Sequence, residues 1–273
     1  MNAMKKNLVY TLLIVAAAGL FSSFRPAATV TGSSEISNIE GRELATETRM
    51  VGSFRSLHSS GSAQITYFQS NTSKLIVECN PAYIDKVVTE VRGGTLHIEM
   101  KRGNYRNLNL RVTVYSPSLD EVILSGSGSF FDEKGHKTGA DVKYTSAGSG
   151  KIIVGRLDCA FFEARLAGSG NLSVGNLTCS GAALSASGSG GITVQRIVSG
   201  GNVSIRLSGS GYGLLDDASI GDIDIHISGS GSVKVNGRAR DVSASISGSG
   251  SVMGDLEFRH LDSRTSGSGR VRF

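Results

Sequence analysis

Residues 161–194 read FFEARLAGSGNLSVGNLTCSGAALSASGSGGITV. The triplet Gly-Ser-Gly stands at Gly168–Gly170 and again at Gly188–Gly190, twenty residues further on. Around it, apolar residues recur at every second position. Phe162, Ala164 and Leu166 precede the first triplet, and Leu172 and Val174 follow it; Ala182, Leu184 and Ala186 precede the second, and Ile192 and Val194 follow it. Spacing by two is the period of a strand with one buried and one wet face. The glycines fall where such a chain must bend, because a bend often demands φ > 0 or leaves no room for a Cβ.

The same unit extends in both directions. Ser/Ala-Gly-Ser-Gly occurs eight times, with its first glycine at Gly126, Gly148, Gly168, Gly188, Gly209, Gly229, Gly248 and Gly267, at intervals of 22, 20, 20, 21, 20, 19 and 19 residues. The apolar columns persist through Ile152 and Val154, Val203, Ile205 and Leu207, Ile223, Ile225 and Ile227, Val233 and Val235, and Val242, Ala244 and Ile246. A leucine-rich repeat has this length but not this order of residues, and a propeller blade needs ~40 residues. The pattern therefore predicts an all-β chain: a single parallel β-helix, or β-solenoid, of ~20-residue coils in which each strand pairs in parallel with its equivalent one coil on. At ~4.8 Å per coil the seven intervals make a rod of roughly 34 Å. A 19-residue interval is expected to be absorbed at a turn.

Residues 45–125 share the texture without the regularity. Ser59-Ser60-Gly61-Ser62-Ala63 is a degenerate first triplet, and strand-like runs follow at Ala63–Phe68, Lys74–Glu78, Thr95–Met100, Leu108–Tyr115 and Glu121–Leu124. Pro81-Ala82-Tyr83 opens a connection with room for one helical turn, and Gly93-Gly94 marks a hairpin-type turn. The solenoid is thus expected over 45–273, with irregular coils to 125 and regular ones from 126.

Upstream, Lys5 and Lys6 precede the apolar run Leu8–Leu20, followed by small residues around Ala27-Ala28. This reads as a signal peptide over 1–28, since thirteen apolar residues fall short of the ~20 a membrane span needs. Residues 29–44 read as a polar, mobile leader. The 273 residues include 36 Gly but only 3 Pro, with no Gly at every third position, which excludes collagen; the abundance of Val, Ile and Leu excludes a disordered tail. Lys+Arg number 28 against 23 Asp+Glu, and losing Lys5, Lys6 and Arg25 with the signal leaves 25 against 23, a net +2. That balance gives no footing for nucleic acid.

Val51-Gly52-Ser53-Phe54, Ser60-Gly61-Ser62-Ala63, Leu75-Ile76-Val77-Glu78, Gly93-Gly94-Thr95-Leu96 and Leu119–Gly128 (LDEVILSGSG), followed by the Gly-Ser-Gly series, occur in an order that resembles the auto-transporter adhesin family with the head GIN domain. The resemblance runs from about Val51 to the end. It implies a right-handed β-helix and an exported, cell-envelope or extracellular protein of Bacteroidetes or related bacteria. It brings no catalytic residues. With no long C-terminal barrel in the sequence, export through such a barrel does not carry over.

Candidate sites are few. Asp216, Asp217, Asp222 and Asp224 are the acidic residues that a glycan-processing β-helix would need clustered beside long loops. Against this, Asp216-Asp217 read as a turn and Asp222 and Asp224 as the wet face of a strand. Arg165, Arg206, His226 and Arg264 form an outward column three residues before the glycines, yet Glu163, Ser204, Asp224 and Asp262 stand two residues earlier on the same face. A charge-balanced surface is the plainer reading. The central serines Ser127, Ser149, Ser169, Ser189, Ser210, Ser230, Ser249 and Ser268 suggest either a sugar-binding array or hydroxyls that satisfy the turn. Cys159 and Cys179 stand one coil apart, within reach of a disulfide or as two buried thiols, which leaves Cys79 single. No spacing here holds a metal or cofactor, and no site residue is assigned.

The expected function is a non-enzymatic, adhesin-like or structural module of the envelope, exported to the periplasm or cell surface. It would bind a glycan or protein surface component through a repetitive face, with no membrane span in the mature chain. A glycan-binding or glycan-processing β-helix is the alternative, and self-assembly into a homo-oligomer through open solenoid ends the next.

Overall fold

The computed structural model describes residues 44–273. The expected signal peptide and, apart from Leu44, the leader lie outside the described residues. The regular half alternates strands between two sheets. β11 (Val142–Gly148), β13 (Phe161–Gly168), β15 (Gly181–Gly188), β17 (Val203–Gly209), β19 (Asp222–Gly229), β21 (Asp241–Gly248) and β24 (His260–Ser266) belong to what is here called the second sheet. β12 (Lys151–Asp158), β14 (Asn171–Cys179), β16 (Gly191–Ser199), β18 (Tyr212–Ile220), β20 (Ser232–Arg238), β22 (Ser251–Met253), β23 (Leu256–Glu257) and β25 (Arg270–Arg272) belong to the first. Every pairing among them is parallel and joins equivalent residues of successive coils, such as Leu166↔Ala186 and Leu172↔Ile192. The chain is a β-solenoid of coils about 20 residues long, with its core between the two sheets.

The triplet occupies one corner of every coil except the β6–β7 coil, where residues 101–110 make that corner instead. Nine glycines, from Gly61 through Gly126 to Gly267, hold φ between +102° and +132°. From Gly126 onward a Cβ would fall within 2.7 Å of the carbonyl oxygen of the glycine one coil earlier. The corner is therefore glycine for two reasons, handedness and lack of space. Its main-chain groups are satisfied along the axis: Ser169 N–H donates to the Gly148 carbonyl at 2.9 Å and Ser189 N–H to that of Gly168 at 3.0 Å. The peptide does this work, and the central serine side chains point outward into solvent.

First-sheet strands bend in the middle. Two successive outward residues interrupt the alternation, as at Gln195-Arg196 and Asp216-Asp217. The bend takes up the changes in coil length. Asp216-Asp217 lie at a bulge where Leu215 pairs with Val235 but Ala218 with Gly237, so two residues face one. The 19-residue interval is thus absorbed within a strand and not at a turn, as the sequence had suggested. The 21-residue interval is taken up at the opposite corner, where Gly200-Gly201-Asn202 separate β16 from β17.

The head winds differently. Its strands are β1 (Ala45–Met50), β2 (Ser56–Gly61), β3 (Gln64–Gln69), β4 (Lys74–Cys79), β5 (Val87–Arg92), β6 (Thr95–Met100), β7 (Arg111–Ser116), β8 (Glu121–Gly126), β9 (Ser129–Asp132) and β10 (His136–Lys137), with a 3-10 helix at Pro81–Lys86. In space the sheets run β1-β4-β7-β3-β9 and β5-β6-β2-β8-β11. The β2–β3 coil thus sits between the β6–β7 coil, which follows it in sequence, and the β8–β9 coil. Gly61 pairs with Gly126, as the degenerate triplet predicted. β1 and β4 are antiparallel, and β5 and β6 form the hairpin expected at Gly93-Gly94. Arg49 spans this end, donating from Nη1 to the Val87 carbonyl at 2.7 Å and from Nη2 to that of Ile84 at 3.1 Å.

Aromatic residues fill the core near the head. Tyr67, Phe130, Tyr144 and Phe162 are fully buried and succeed one another at 6.3, 6.0 and 5.6 Å between ring centres. Beyond them the columns become aliphatic and close with Leu261, Ser263 and Thr265 in the exposed strand β24.

Candidate functional site

The acidic candidates do not converge. Asp216 and Asp217 lie on β18 in the first sheet, whereas Asp222 and Asp224 lie on β19 in the second. Each has a partner of its own. Asn236 donates to Asp216 at 3.0 Å, Arg196 lies 3.5 Å from Asp217, Arg240 grips Asp222 at 2.9 and 2.5 Å, and Asn202 donates to Asp224 at 2.8 Å. Among the described residues no group of three or more His, Cys, Asp or Glu has the geometry to hold a metal ion.

The basic column divides into two kinds. Arg165 pairs with Glu163 at 2.6 Å and Arg264 with Asp262 at 3.1 Å, as the two-residue spacing predicted. Arg206 instead donates to the Ser204 hydroxyl, and it faces His226 in register on the next strand. Neither Arg206 nor His226 takes part in an ion pair among the described residues. The middle of the column therefore holds Arg206 and His226 without a direct carboxylate partner, with Asp224 the nearest acidic position on that face. Ser187, Ser208, Ser228 and Ser247 run alongside it in register, and Ser185 and Ser245 flank it in its own column. These residues line a shallow trough of about 430 Å³ on the outer face of the second sheet. The arrangement follows from the fold: adjacent coils place identical positions in a file, so a serine kept one residue before each glycine becomes a row of hydroxyls. It offers repeated hydrogen-bond donors and acceptors around one guanidinium and one imidazole. Residue order marks Arg206 through serine in place of an acidic residue at position 204; it does not mark His226, whose Asp224 is engaged by Asn202 instead.

The cysteines are three free thiols. Burial pushes the Cys159 thiol up to about 12, assisted by neighbouring Cys179, and raises Cys179 and Cys79 as well. One buried pair beneath the head was not legible in residue order. His136 Nδ1 and Asp132 Oδ2 are 2.6 Å apart with both side chains fully buried, and His136 Nε2 is 3.0 Å from the Leu119 carbonyl. Sequence spacing of four in a strand region does not announce such a contact, because a turn brings the two together.

The profile of the family described as "Putative auto-transporter adhesin, head GIN domain" matches residues 53–181 and again 180–273. Among solved structures, a protein of Parabacteroides distasonis titled "Putative lipid binding protein" is 27% identical, with a TM-score of 0.72 over 85% of this chain and 97% of its own. A "putative adhesin" of the same species is 18% identical with a TM-score of 0.77, over 85% of this chain and 97% of its own. A "putative adhesin" of Parabacteroides merdae is 17% identical with a TM-score of 0.74, over 85% and 96%. The last two share the fold. A search of curated proteins returns no match. With the profile matched across nearly all of the described chain, and the stacked coils shared with these structures, the protein belongs to the auto-transporter adhesin family with the head GIN domain.

Proposed function

We propose that the protein is an exported, non-enzymatic, adhesin-like module of the bacterial cell envelope that binds a surface component through the outer face of its second sheet. The observation that carries this reading is the in-register file of serines beside Arg206 and His226. Such a face suits many weak, equivalent contacts along one rigid direction, whose effects multiply when engaged together. The non-enzymatic reading is supported by the four aspartates being split between two sheets and individually paired. Export is in keeping with the family, and no helix among the described residues is long and apolar enough to cross a membrane.

The test is retention of the purified protein on intact cells, on polysaccharides and on lipid vesicles, with an Arg206→Ser/His226→Ser variant alongside. Loss of retention in the variant supports the face, and equal retention overturns it. Release of sugar from any polysaccharide, abolished by changing Asp216 and Asp217, overturns the non-enzymatic claim. Protease accessibility on cells distinguishes periplasm from surface.

A further inference from the structure

The outer face of the first sheet carries, at the head, a site of different chemistry. Phe68 on β3 and Tyr115 on β7 are register partners whose rings stack 5.5 Å apart with 25° between their planes. Lys74, the register partner of Tyr115 on β4, places Nζ 4.8 Å from the centre of that ring. Lys134 places its own 5.2 Å from the centre of Phe68. The four side chains form a row, and beside it opens a cavity of about 520 Å³ bounded by Phe68, Tyr115, Ser70, Lys134 and Gly135. Among the described residues the lysines in ion pairs are Lys86 and Lys143, so neither ammonium group of the row is neutralised by a carboxylate.

The position of Lys134 is constructed. Asp132 pairs with Val154 and His136 with Leu157, so Glu133, Lys134 and Gly135 stand against only Gly155 and Arg156 of the next coil. One of the two extra residues of the 22-residue interval is therefore spent here, in a turn closed by Gly135 N–H on the Asp132 carbonyl at 3.1 Å. Gly135 has φ +75°, and a Cβ on it would run into the Arg156 carbonyl. The Gln69 amide ties the turn to the head coil, donating to the Lys137 and Pro117 carbonyls at 2.9 Å each and accepting from Lys137 N–H at 3.2 Å. Beneath it lies the buried Asp132–His136 pair. A turn pinned from three sides holds a cation over an aromatic ring.

We infer that this row and its cavity bind an anionic saccharide. The C–H face of a sugar ring suits the electron-rich face of an aromatic ring, which Phe68 and Tyr115 supply. Its carboxylate or sulfate draws Lys134 and Lys74 from the rings into charge-assisted hydrogen bonds. An acyl chain fits less well, because the rim is Ser70, Gln69 and Lys134 and the site is open to water. The inference does not depend on the serine-lined face, which lies on the opposite sheet.

Calorimetric titration of the full chain with trigalacturonic acid, its fully methyl-esterified form and a sulfated heparin disaccharide tests it. The expected result is millimolar or tighter binding of a charged probe, weakening as salt rises, with the ester weaker by about tenfold or more. Tyr115→Ala and Lys134→Ala should each lose about tenfold, Tyr115→Phe should retain binding, and Lys234→Ala, on exposed β20 away from the head, should leave it unchanged. Thermal melts confirm that the surface variants fold. Failure of both charged probes to bind, equal binding of the ester, undiminished binding by Tyr115→Ala and Lys134→Ala, or loss of binding in Lys234→Ala would each overturn the proposal.

Discussion

Glycines in this chain are not equivalent, and the difference is measurable. Gly188 has φ +120° and stacks against the Gly168 carbonyl, so Gly188→Ala adds both an unfavourable backbone conformation and a clash. A loss of about 2 kcal/mol or more is expected in denaturant unfolding. Gly213 occupies an aliphatic column at an ordinary φ, with Ile205 Cγ2 and Val233 Cγ2 3.4 and 3.6 Å from where a Cβ would sit. Gly213→Ala should therefore stabilise by about 0.4–1 kcal/mol, and a loss would show that the column is already full. The buried Asp132–His136 contact obeys a different rule. Removing one partner leaves the other unsatisfied, so Asp132→Ala should cost about 1–3 kcal/mol, with the double substitution costing less than the sum of the singles. Reactivity of Cys159 follows its environment: with the thiol held near 12, alkylation at pH 8 should proceed only after denaturant is added.

At the scale of strands and corners, the tolerant and intolerant parts of a coil separate cleanly. From Gly126 onward the triplet corner keeps its length because its peptides bond along the axis, whereas the first-sheet bend and the opposite corner absorb residues gained or lost. Surface ion pairs such as Arg165–Glu163 decorate the strands without holding them. Arg165→Ala should change stability by less than about 1 kcal/mol, and a larger effect would mean the pair is part of the packing. The triplets, the alternating columns and the Gly93-Gly94 hairpin were all legible in residue order, because each is a local preference of backbone or side chain. β1, β2 and β5 escaped the reading. Thr46, Glu47, Thr48 and Arg49 show no apolar alternation, and β1 is a strand because β4 supplies its hydrogen bonds.

Buried acids make the stability of the whole molecule depend on alkaline pH. Cys159 rises from an ordinary 9.0 to about 12 and Tyr67 from 10.0 to about 12, both chiefly because burial disfavours the charged form. The folded chain keeps these protons where the unfolded chain releases them. Their contribution is thus complete below about pH 9 and is lost as pH climbs from there to 12. Melting temperature should be flat up to about pH 9 and fall above it, with the fall reduced in Tyr67→Phe; an unchanged slope would assign the alkaline loss elsewhere. Binding should show a collective character. Single Ser→Ala changes at Ser187, Ser208, Ser228 and Ser247 should each matter little, and all four together should weaken retention by the product of the single effects.

Period and composition settled the coil, its length and its inward columns, since alternation by two and glycine at a left-handed corner are written residue by residue. Which cations stand unpaired, how the β2–β3 coil slips between its neighbours, and that Lys134 lies over Phe68 were settled by folding. Those outcomes depend on side chains of different coils meeting across strands, as Lys134 meets Phe68. No local preference encodes such a meeting, and the register that produces it exists only once the coils have stacked.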